Sequence, residues 1–134
     1  MKQIVAVLAD YASISVGGKL NILGIFSNII ASNAPVVHPQ MQLVFMYEFE
    51  FTEAGNKDMK IVLVDDDGRE ILSMSGEVNV HRLPHGAPCQ IYQIIQLNDI
   101  RFPKFGEYEF HVLINDGLVS TVPLKVIQAP EPQN

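Results

Sequence analysis

The chain has 134 residues, 48% of them hydrophobic, and a formal net charge of −6. This length suits one domain, and the apolar fraction can fill its core without disulfides or a structural metal. The 9 basic residues are spread singly, whereas a protein that binds nucleic acid needs clustered Lys and Arg to neutralise phosphates. The composition therefore argues against nucleic acid as a partner.

The N-terminus has Lys2 followed by an apolar run at 4–9 that ends at Asp10. This run is shorter than the roughly 7–15 residues of a signal peptide's hydrophobic region, so we predict a first β-strand here. No stretch reaches the ~18 apolar residues of a membrane helix. The single cysteine, Cys89, excludes an internal disulfide and suits a reducing compartment. We therefore expect a cytoplasmic protein that does not contact membranes.

Apolar and polar residues alternate along most of the remaining chain, which is typical of strands with one buried and one wet face. From Met41 to Phe51 every second residue is apolar. Asp-Gly pairs at 67–68 and 116–117 lie between such segments and predict hairpin turns. The predicted strands are 3–11, 19–30, 40–51, 59–65, 69–80, 90–100, 107–114 and 118–127.

The pattern predicts an all-β fold, an antiparallel β-sandwich of about eight strands with immunoglobulin-like or C2-like Greek-key connections. Residues 1–128 form this single domain, and 129–134, with two prolines and no apolar pattern, are predicted to be a flexible tail. The segment 32–39, with two further prolines, favours a loop. The first two strands are apolar on both faces, so we expect them to be central or covered by a loop or another subunit.

Three segments carry a resemblance to a known family: 8–12, 18–26, and 106–110 leading to the Asp-Gly pair at 116–117. On these segments the chain resembles a bacterial family of small all-β proteins of unknown function. The resemblance implies the fold and a bacterial origin but no mechanism. The last segment, with the Pro-Leu-x-Val strand after it, is also similar to the final hairpin of immunoglobulin-like sandwiches, a likeness of architecture that implies no function.

His81, His85 and Cys89 are candidate zinc ligands, because they place two imidazoles and the only thiol at a regular spacing of four. Two prolines and a glycine lie between them, so no helix can align the three side chains on one face. A connecting loop with a buried cysteine is the alternative explanation.

Asp65, Asp66 and Asp67 are candidate calcium ligands, since sandwich domains of the C2 type bind calcium through loop aspartates. Calcium requires six to eight oxygen ligands, here from converging loops, and the glutamate of an EF-hand's twelfth position is missing. A hairpin turn is the alternative, because Asp and Gly both suit the backbone of a turn.

Catalysis finds little support in the sequence. No Gly-x-Ser-x-Gly elbow, phosphate-binding loop or His-Glu-x-x-His motif occurs. Cys89 has histidines nearby in sequence, but that spacing does not establish a nucleophile with its base. The paired carboxylates at 48 and 50, and at 107 and 109, suit the wet face of an antiparallel sheet. We expect a protein that is not an enzyme and needs no cofactor.

Apolar residues on faces that the alternation assigns to water are the main indication of function. They are Leu23, Ile25, Val44, Met46, Val62 and Val64. If they form one patch they mark an interface, and the alternative is that a loop or the N-terminal strand covers them. We therefore predict a protein–protein interaction or self-assembly module that uses a sheet face or an unpaired strand edge. The alternative is a small-ligand or metal-binding sandwich with its site in the end loops, around 81–89 and 65–68.

Overall fold

A computed structural model describes residues 1–130, which form nine strands and two short 3-10 turns. The all-β prediction is therefore confirmed. The strands are β1 (Lys2–Ile14), β2 (Leu20–Phe26), β3 (Asn28–Ala31), β4 (Val36–Phe49), β5 (Gly55–Asp65), β6 (Glu70–Val80), β7 (Cys89–Phe102), β8 (Gly106–Ile114) and β9 (Gly117–Gln128). The 3-10 turns are Phe51–Glu53 and Pro84–Gly86.

The strands form two sheets that pack face to face as a β-sandwich. One sheet has four antiparallel strands in the order β2-β1-β4-β7. The other has five strands in the order β3-β9-β8-β5-β6, antiparallel except that β3 runs parallel to β9. The edge strands are therefore β2 and β7 in the first sheet, and β3 and β6 in the second.

The predicted second strand, 19–30, is divided between the two sheets. The chain leaves the four-stranded sheet after Phe26, passes Ser27, and joins the five-stranded sheet as β3. As a result β1 is central, whereas β2 is an edge strand, so for β2 the remaining expectation is cover by a loop or another subunit. Residues 131–134, most of the predicted tail, lie outside the described residues, while the Ala129 N–H donates to the Ala31 carbonyl at 2.8 Å.

The core between the sheets follows directly from the alternation in β4, whose odd-numbered residues from Met41 to Phe49 are all buried. They meet Tyr108, Phe110 and other apolar side chains of the opposite sheet. Fully burying one such side chain stabilises the fold by about 1.5–3 kcal/mol. The sandwich is therefore held by the side chains that the sequence assigns to its inner faces.

The β1–β2 hairpin departs from the rest of its sheet partway along its length. Pairing between β1 and β4 ends at Ala9, whereas pairing between β1 and β2 continues to Ile14. At the point of departure Gly24 has a φ of 72° and lies against the Asp10 side chain. We call residues 10–25 the hairpin arm.

The hairpin arm lies on the outer face of the four-stranded sheet. The Ala12 N–H donates to Gln42 Oε1 at 2.5 Å, and the Tyr92 hydroxyl donates to the Gly18 carbonyl at 2.8 Å. Gln42 lies between two core residues of β4, so its side chain is on the opposite face from the core. These two hydrogen bonds attach the middle and the tip of the arm to β4 and β7.

Candidate functional site

The burial of Val44 removes it from the predicted interface, because its side chain has no exposed surface. It does lie on the outer face, between two core residues of β4, but the hairpin arm covers it. Ala9 and Ala12 form a small second apolar cluster with Val44, and Val7, Leu20, Ile22 and Ile94 pack against them. The expectation that Val44 meets water is therefore wrong, and the N-terminal strand covers it.

The other predicted interface residues are spread over both sheets. Met46 is half-buried beside Tyr92 on β7. Val62 and Val64 are half-buried on the outer face of the five-stranded sheet, where their cross-strand neighbours are polar: Ser73, His111, Glu70 and Glu109. These three residues do not join Leu23 and Ile25 in one apolar patch.

Leu23 and Ile25 are exposed, at 64% and 62% of their full surface. Tyr11, which is 52% exposed, lies directly opposite Leu23 in the β1–β2 ladder, and Ile25 lies opposite Ala9. Sequence reasoning missed Tyr11, because only the strand register places it beside Leu23. We call the surface of Tyr11, Leu23 and Ile25 the arm face.

The surroundings of the arm face are also poor in charge. Asp10 and Lys19 are the only charged residues in the arm sequence. At the tip of the arm Val16 is fully exposed, although hairpin tips usually carry small polar residues. The arm thus combines an apolar underside packed on the sheet with an apolar surface that faces water.

A notch of about 200 Å³ adjoins the arm face, between β1, the crossover at Ser27 and β9. It opens where β2 leaves β1, and Leu8, Ile25, Phe26 and Val122 are among its mainly apolar lining residues. Small-molecule sites usually measure about 300–1,000 Å³. The notch therefore suits an inserted apolar side chain better than a separate ligand.

The three candidate zinc ligands are not brought together by the fold. Cys89 is buried in the main core, while His81 and His85 are exposed on the segment between β6 and β7. Within residues 1–130 the only group of potential metal ligands close to one another is the aspartate triplet.

The aspartate triplet does form a cluster, with one carboxylate oxygen from each residue within 4.8 Å of the others. Asp65 caps the turn that follows β5, because its Oδ1 accepts from the backbone N–H groups of Asp67 at 3.0 Å and Arg69 at 2.8 Å. Lys104 Nζ lies 3.0 Å from Asp66 Oδ1 and 3.1 Å from Asp67 Oδ2. A lysine thus already supplies the positive charge beside these carboxylates.

The Lys104 ammonium also affects the titration of its partners. Its hydrogen bond holds the pKa of Asp66 below the usual range, and the two carboxylates raise the pKa of Lys104. Asp116 lies at the far end of the same ladder, since β5 pairs Asp65 with Tyr108 but Met59 with Ile114. Asp116 therefore cannot complete a calcium site around the triplet.

A buried polar contact joins the two sheets but does not form an accessible site. The Tyr47 hydroxyl donates to Ser120 Oγ at 2.7 Å, and Ser120 in turn donates to Gln3. Burial raises the pKa of Tyr47 despite the hydrogen bond to Ser120, which acts in the opposite direction. Enclosed in this way, the tyrosine serves packing between the sheets.

The fold and its surfaces define a two-sheet β-sandwich domain whose most distinctive surface is the apolar hairpin arm. The model of a family of unknown function, DUF6941, matches residues 4–127, so the chain belongs to that family. This confirms the resemblance to an all-β family without an assigned function. Comparison with curated proteins gives no match.

Solved structures show similarity in fold alone. The alkylpurine DNA glycosylase AlkC of Pseudomonas fluorescens, bound to DNA containing an abasic site analog, matches with a TM-score of 0.52 and 13% identity. The match covers 94% of this chain and 30% of the glycosylase chain. The chain therefore spans less than a third of that protein.

Two glycoside hydrolases of family 2 match less closely. The member from Bacteroides cellulosilyticus has a TM-score of 0.40 and 10% identity, over 68% of this chain and 14% of its own. A β-glucuronidase of the same family has a TM-score of 0.39 and 16% identity, over 68% of this chain and 11% of its own.

Among the residues that the structure describes, no helix has the length and apolar character needed to cross a membrane.

Proposed function

We propose that this domain is a protein–protein interaction module without enzymatic activity, and that the arm face binds the partner protein. The observation that carries the proposal is the exposure of Tyr11 and Leu23 opposite one another on the arm, with Ile25 also exposed two residues further along β2. Large apolar side chains that are contiguous and exposed mark interaction surfaces, whereas single ones are common on any protein.

The composition of the arm face supports binding to protein. Tyrosine is among the residues that supply most of the affinity at protein interfaces, where aromatic residues are enriched and charged residues are depleted at the centre. The adjoining notch offers a pocket for an apolar side chain of the partner. An apolar, shape-matched partner surface is the chemistry that this site would recognise.

The proposal is tested with two leucines of similar exposure. Leu23→Ser removes a central member of the arm face, and Leu118→Ser changes a leucine that is 57% exposed at the start of β9, outside the arm face. Each tagged variant is used to capture partners from a native lysate, beside the unchanged protein. Thermal melting confirms that both variants remain folded.

We expect Leu23→Ser to reduce the yield of a stoichiometric partner about tenfold or more, since loss of a central apolar contact costs about 2 kcal/mol or more. Leu118→Ser should leave the yield unchanged. Equal capture by both variants, or equal loss in both, would contradict a role for the arm face.

The strand order also supports an immunoglobulin-like topology. In variable-type immunoglobulin domains strands G, F, C and C′ share one sheet, and B and E are neighbours in the other. Here β9-β8-β5-β6 and β4-β7 have the same arrangement. The Tyr108 hydroxyl donates to the Lys104 carbonyl at 2.7 Å, four residues upstream, like the tyrosine corner of those sandwiches. An experimental structure in which β4 and β7 are not neighbours would refute this assignment.

A cytoplasmic location is part of the same proposal. It is supported by the lone cysteine, which is buried in the core rather than paired, as is common in reducing compartments. Cell fractionation tests the location, and recovery of the protein outside the cytoplasm would contradict it.

A further inference from the structure

Strand β7 is an edge strand of 14 residues, and its first ten lack the usual protection against pairing. Natural edge strands are commonly short or carry lysine, proline, inward-pointing charges or bulges that prevent another chain from adding a strand. Residues 89–98 of β7 contain no charge, no proline and no glycine. Within residues 1–130, β4 is the only strand that pairs with β7, so its other side is open.

Apolar side chains on both faces of the four-stranded sheet are fully buried at β4 but only partly buried at β7. Leu43 and Val44 of β4 are fully buried, one on each face of the sheet. Their partners in the ladder, Ile95 and Ile94 of β7, are only half-buried. One further strand beside β7, apolar on both faces, would complete both layers.

The sequence of β7 meets this requirement itself, because residues 89–97 form a palindrome of apolar and polar residues centred on Gln93. Opposite residues of an antiparallel pair point to the same face. With Gln93 opposite Gln93 of a second copy, every remaining pair is alike in character: Tyr92 with Ile94, Ile91 with Ile95, Gln90 with Gln96, and Cys89 with Leu97.

We propose that β7 pairs antiparallel with β7 of a second copy about a two-fold axis at Gln93, forming a continuous eight-stranded sheet. A two-fold contact requires a surface that is complementary to itself, and the palindrome provides this. It also brings two chains of net charge −6 together along an uncharged segment. This contact uses the open edge of β7 and goes beyond the proposed role of the arm face.

The position of the arm tip is consistent with this contact. The Gly18 carbonyl accepts from the Tyr92 hydroxyl, so the tip lies over the residue that would meet Ile94 of the second copy. Val16, fully exposed, is two residues away in the same tip. The tips would thus lie close to the junction, where Val16 gains apolar neighbours.

The first test measures mass in solution by light scattering after size exclusion. The unchanged chain should have twice its monomer mass of 14.9 kDa. Gln93→Lys and Gln93→Glu each place like charges opposite one another, which opposes pairing, so each should weaken the dimer about tenfold or more. An equimolar mixture of the two variants should regain the dimer mass, because opposite charges then face each other.

The second test identifies the register by disulfide formation. In a Cys89→Ser background, Gln93→Cys places two thiols across the axis, with Cα atoms about 4.5–5.5 Å apart, a separation that a disulfide spans. An added oxidant such as diamide accepts the two electrons and two protons that the thiols release. Gln90→Cys is the matched control, because its two copies lie six residues apart along the ladder, roughly 20 Å.

Efficient cross-linking of Gln93→Cys but not of Gln90→Cys supports the proposed register. A monomeric wild type at about 0.1 mM, charge variants that dimerise like the wild type, or equal cross-linking at both positions would overturn it. Ser75→Lys, at an exposed position on β6, an edge strand of the other sheet, controls for charge alone and should not change the mass. If Gln93→Lys does not fold, the double variant Gln90→Lys/Gln96→Lys replaces it, because these two exposed positions face each other across the proposed pair.

Leu23→Ser separates this inference from the proposed function. A dimer that is lost in Leu23→Ser but kept in Gln93→Lys would refute pairing through β7 and make the arm face the self-association surface. A dimer that is lost only in the charge variants supports β7 pairing, and the capture experiment then decides on the arm face independently.

Discussion

The outer faces of the two sheets differ in what covers them. The five-stranded sheet presents a wet outer face along β5 and β8, where Glu107 and Glu109 alternate with core residues and the two outward valines have polar neighbours. Its apolar exposure lies at the β3 edge, where Ile30 is opposite Ile127. The four-stranded sheet has an apolar outer face, and its own N-terminal hairpin folds over it.

This difference shows where hydrophobic alternation determines burial and where it does not. In both sheets alternation correctly divides residues between an inner and an outer face. Whether an outer face meets water depends on long-range packing, since a covering element can come from any part of the chain. The arm covers the apolar outer face of the four-stranded sheet, but the arm has exposed apolar residues of its own, Leu23 and Ile25.

The largest effect that distinguishes the two faces is expected at Val44. Val44→Ser should lower the free energy of unfolding by about 2–4 kcal/mol, because it leaves a cavity and buries a hydroxyl beneath the arm. Val62→Ser, at an outward position of the other sheet, should cost less than about 1 kcal/mol. Urea denaturation measures both changes, and equal losses would show that the arm does not cover Val44.

A smaller effect is expected at the bend of the arm. Gly24 has a positive φ, and an added Cβ would collide with the Asp10 carboxylate. Gly24→Ala should therefore cost about 1–3 kcal/mol from backbone strain and the collision. Gly76→Ala is the control, since Gly76 lies in a regular strand with open space around its Cβ position. The bend is not needed if both variants unfold at the same urea concentration.

Attachment of the arm tip should contribute less again. Tyr92→Phe removes only the hydroxyl that donates to the Gly18 carbonyl, so it should cost about 0.5–1.5 kcal/mol. Amide exchange should become faster in the tip, residues 15–19, while β8 and β9 stay unchanged. Unaltered exchange in the tip would mean that this hydrogen bond does not hold the arm to the sheet.

The smallest effect concerns the aspartate turn of the five-stranded sheet. The interaction with Lys104 that lowers the pKa of Asp66 stabilises the fold fully above about pH 3.8. This contribution is lost as the pH falls below 3.8 and through the lowered pKa of the folded state. The raised pKa of Lys104 contributes below pH 10.5 and is lost as the pH rises further. Lys104→Met should therefore lower the melting temperature slightly at pH 7 and less at pH 3. Both groups are exposed, and solvent screens their attraction.

Melting with added calcium distinguishes a salt bridge from a metal site at the same turn. If Lys104 takes the place of a cation, millimolar calcium should leave the melting temperature of the wild type unchanged. A rise of several degrees on adding calcium would instead show that the aspartates bind the ion.

Sequence periodicity predicted the fold well because the inner-face residues of β4, β5, β8 and β9 alternate regularly. It could not predict the change of sheet at Ser27, since strands that are apolar on both faces give no signal of which sheet they join. Nor could it predict that Tyr11 lies opposite Leu23, because that depends on the register of the β1–β2 hairpin. The β7 palindrome was visible in the sequence, but only the strand order shows that β7 has an open edge.

The most direct test of the account is hydrogen exchange of the two edge strands β6 and β7 as protein concentration increases. Strand β6 carries Glu70, Glu77 and Gly76, and it should exchange its outward amides quickly at every concentration. If β7 pairs with a second copy, its outward amides around Gln93 should become protected as the concentration rises. Amides of β7 that exchange as quickly as those of β6 at all concentrations would contradict assembly through this edge.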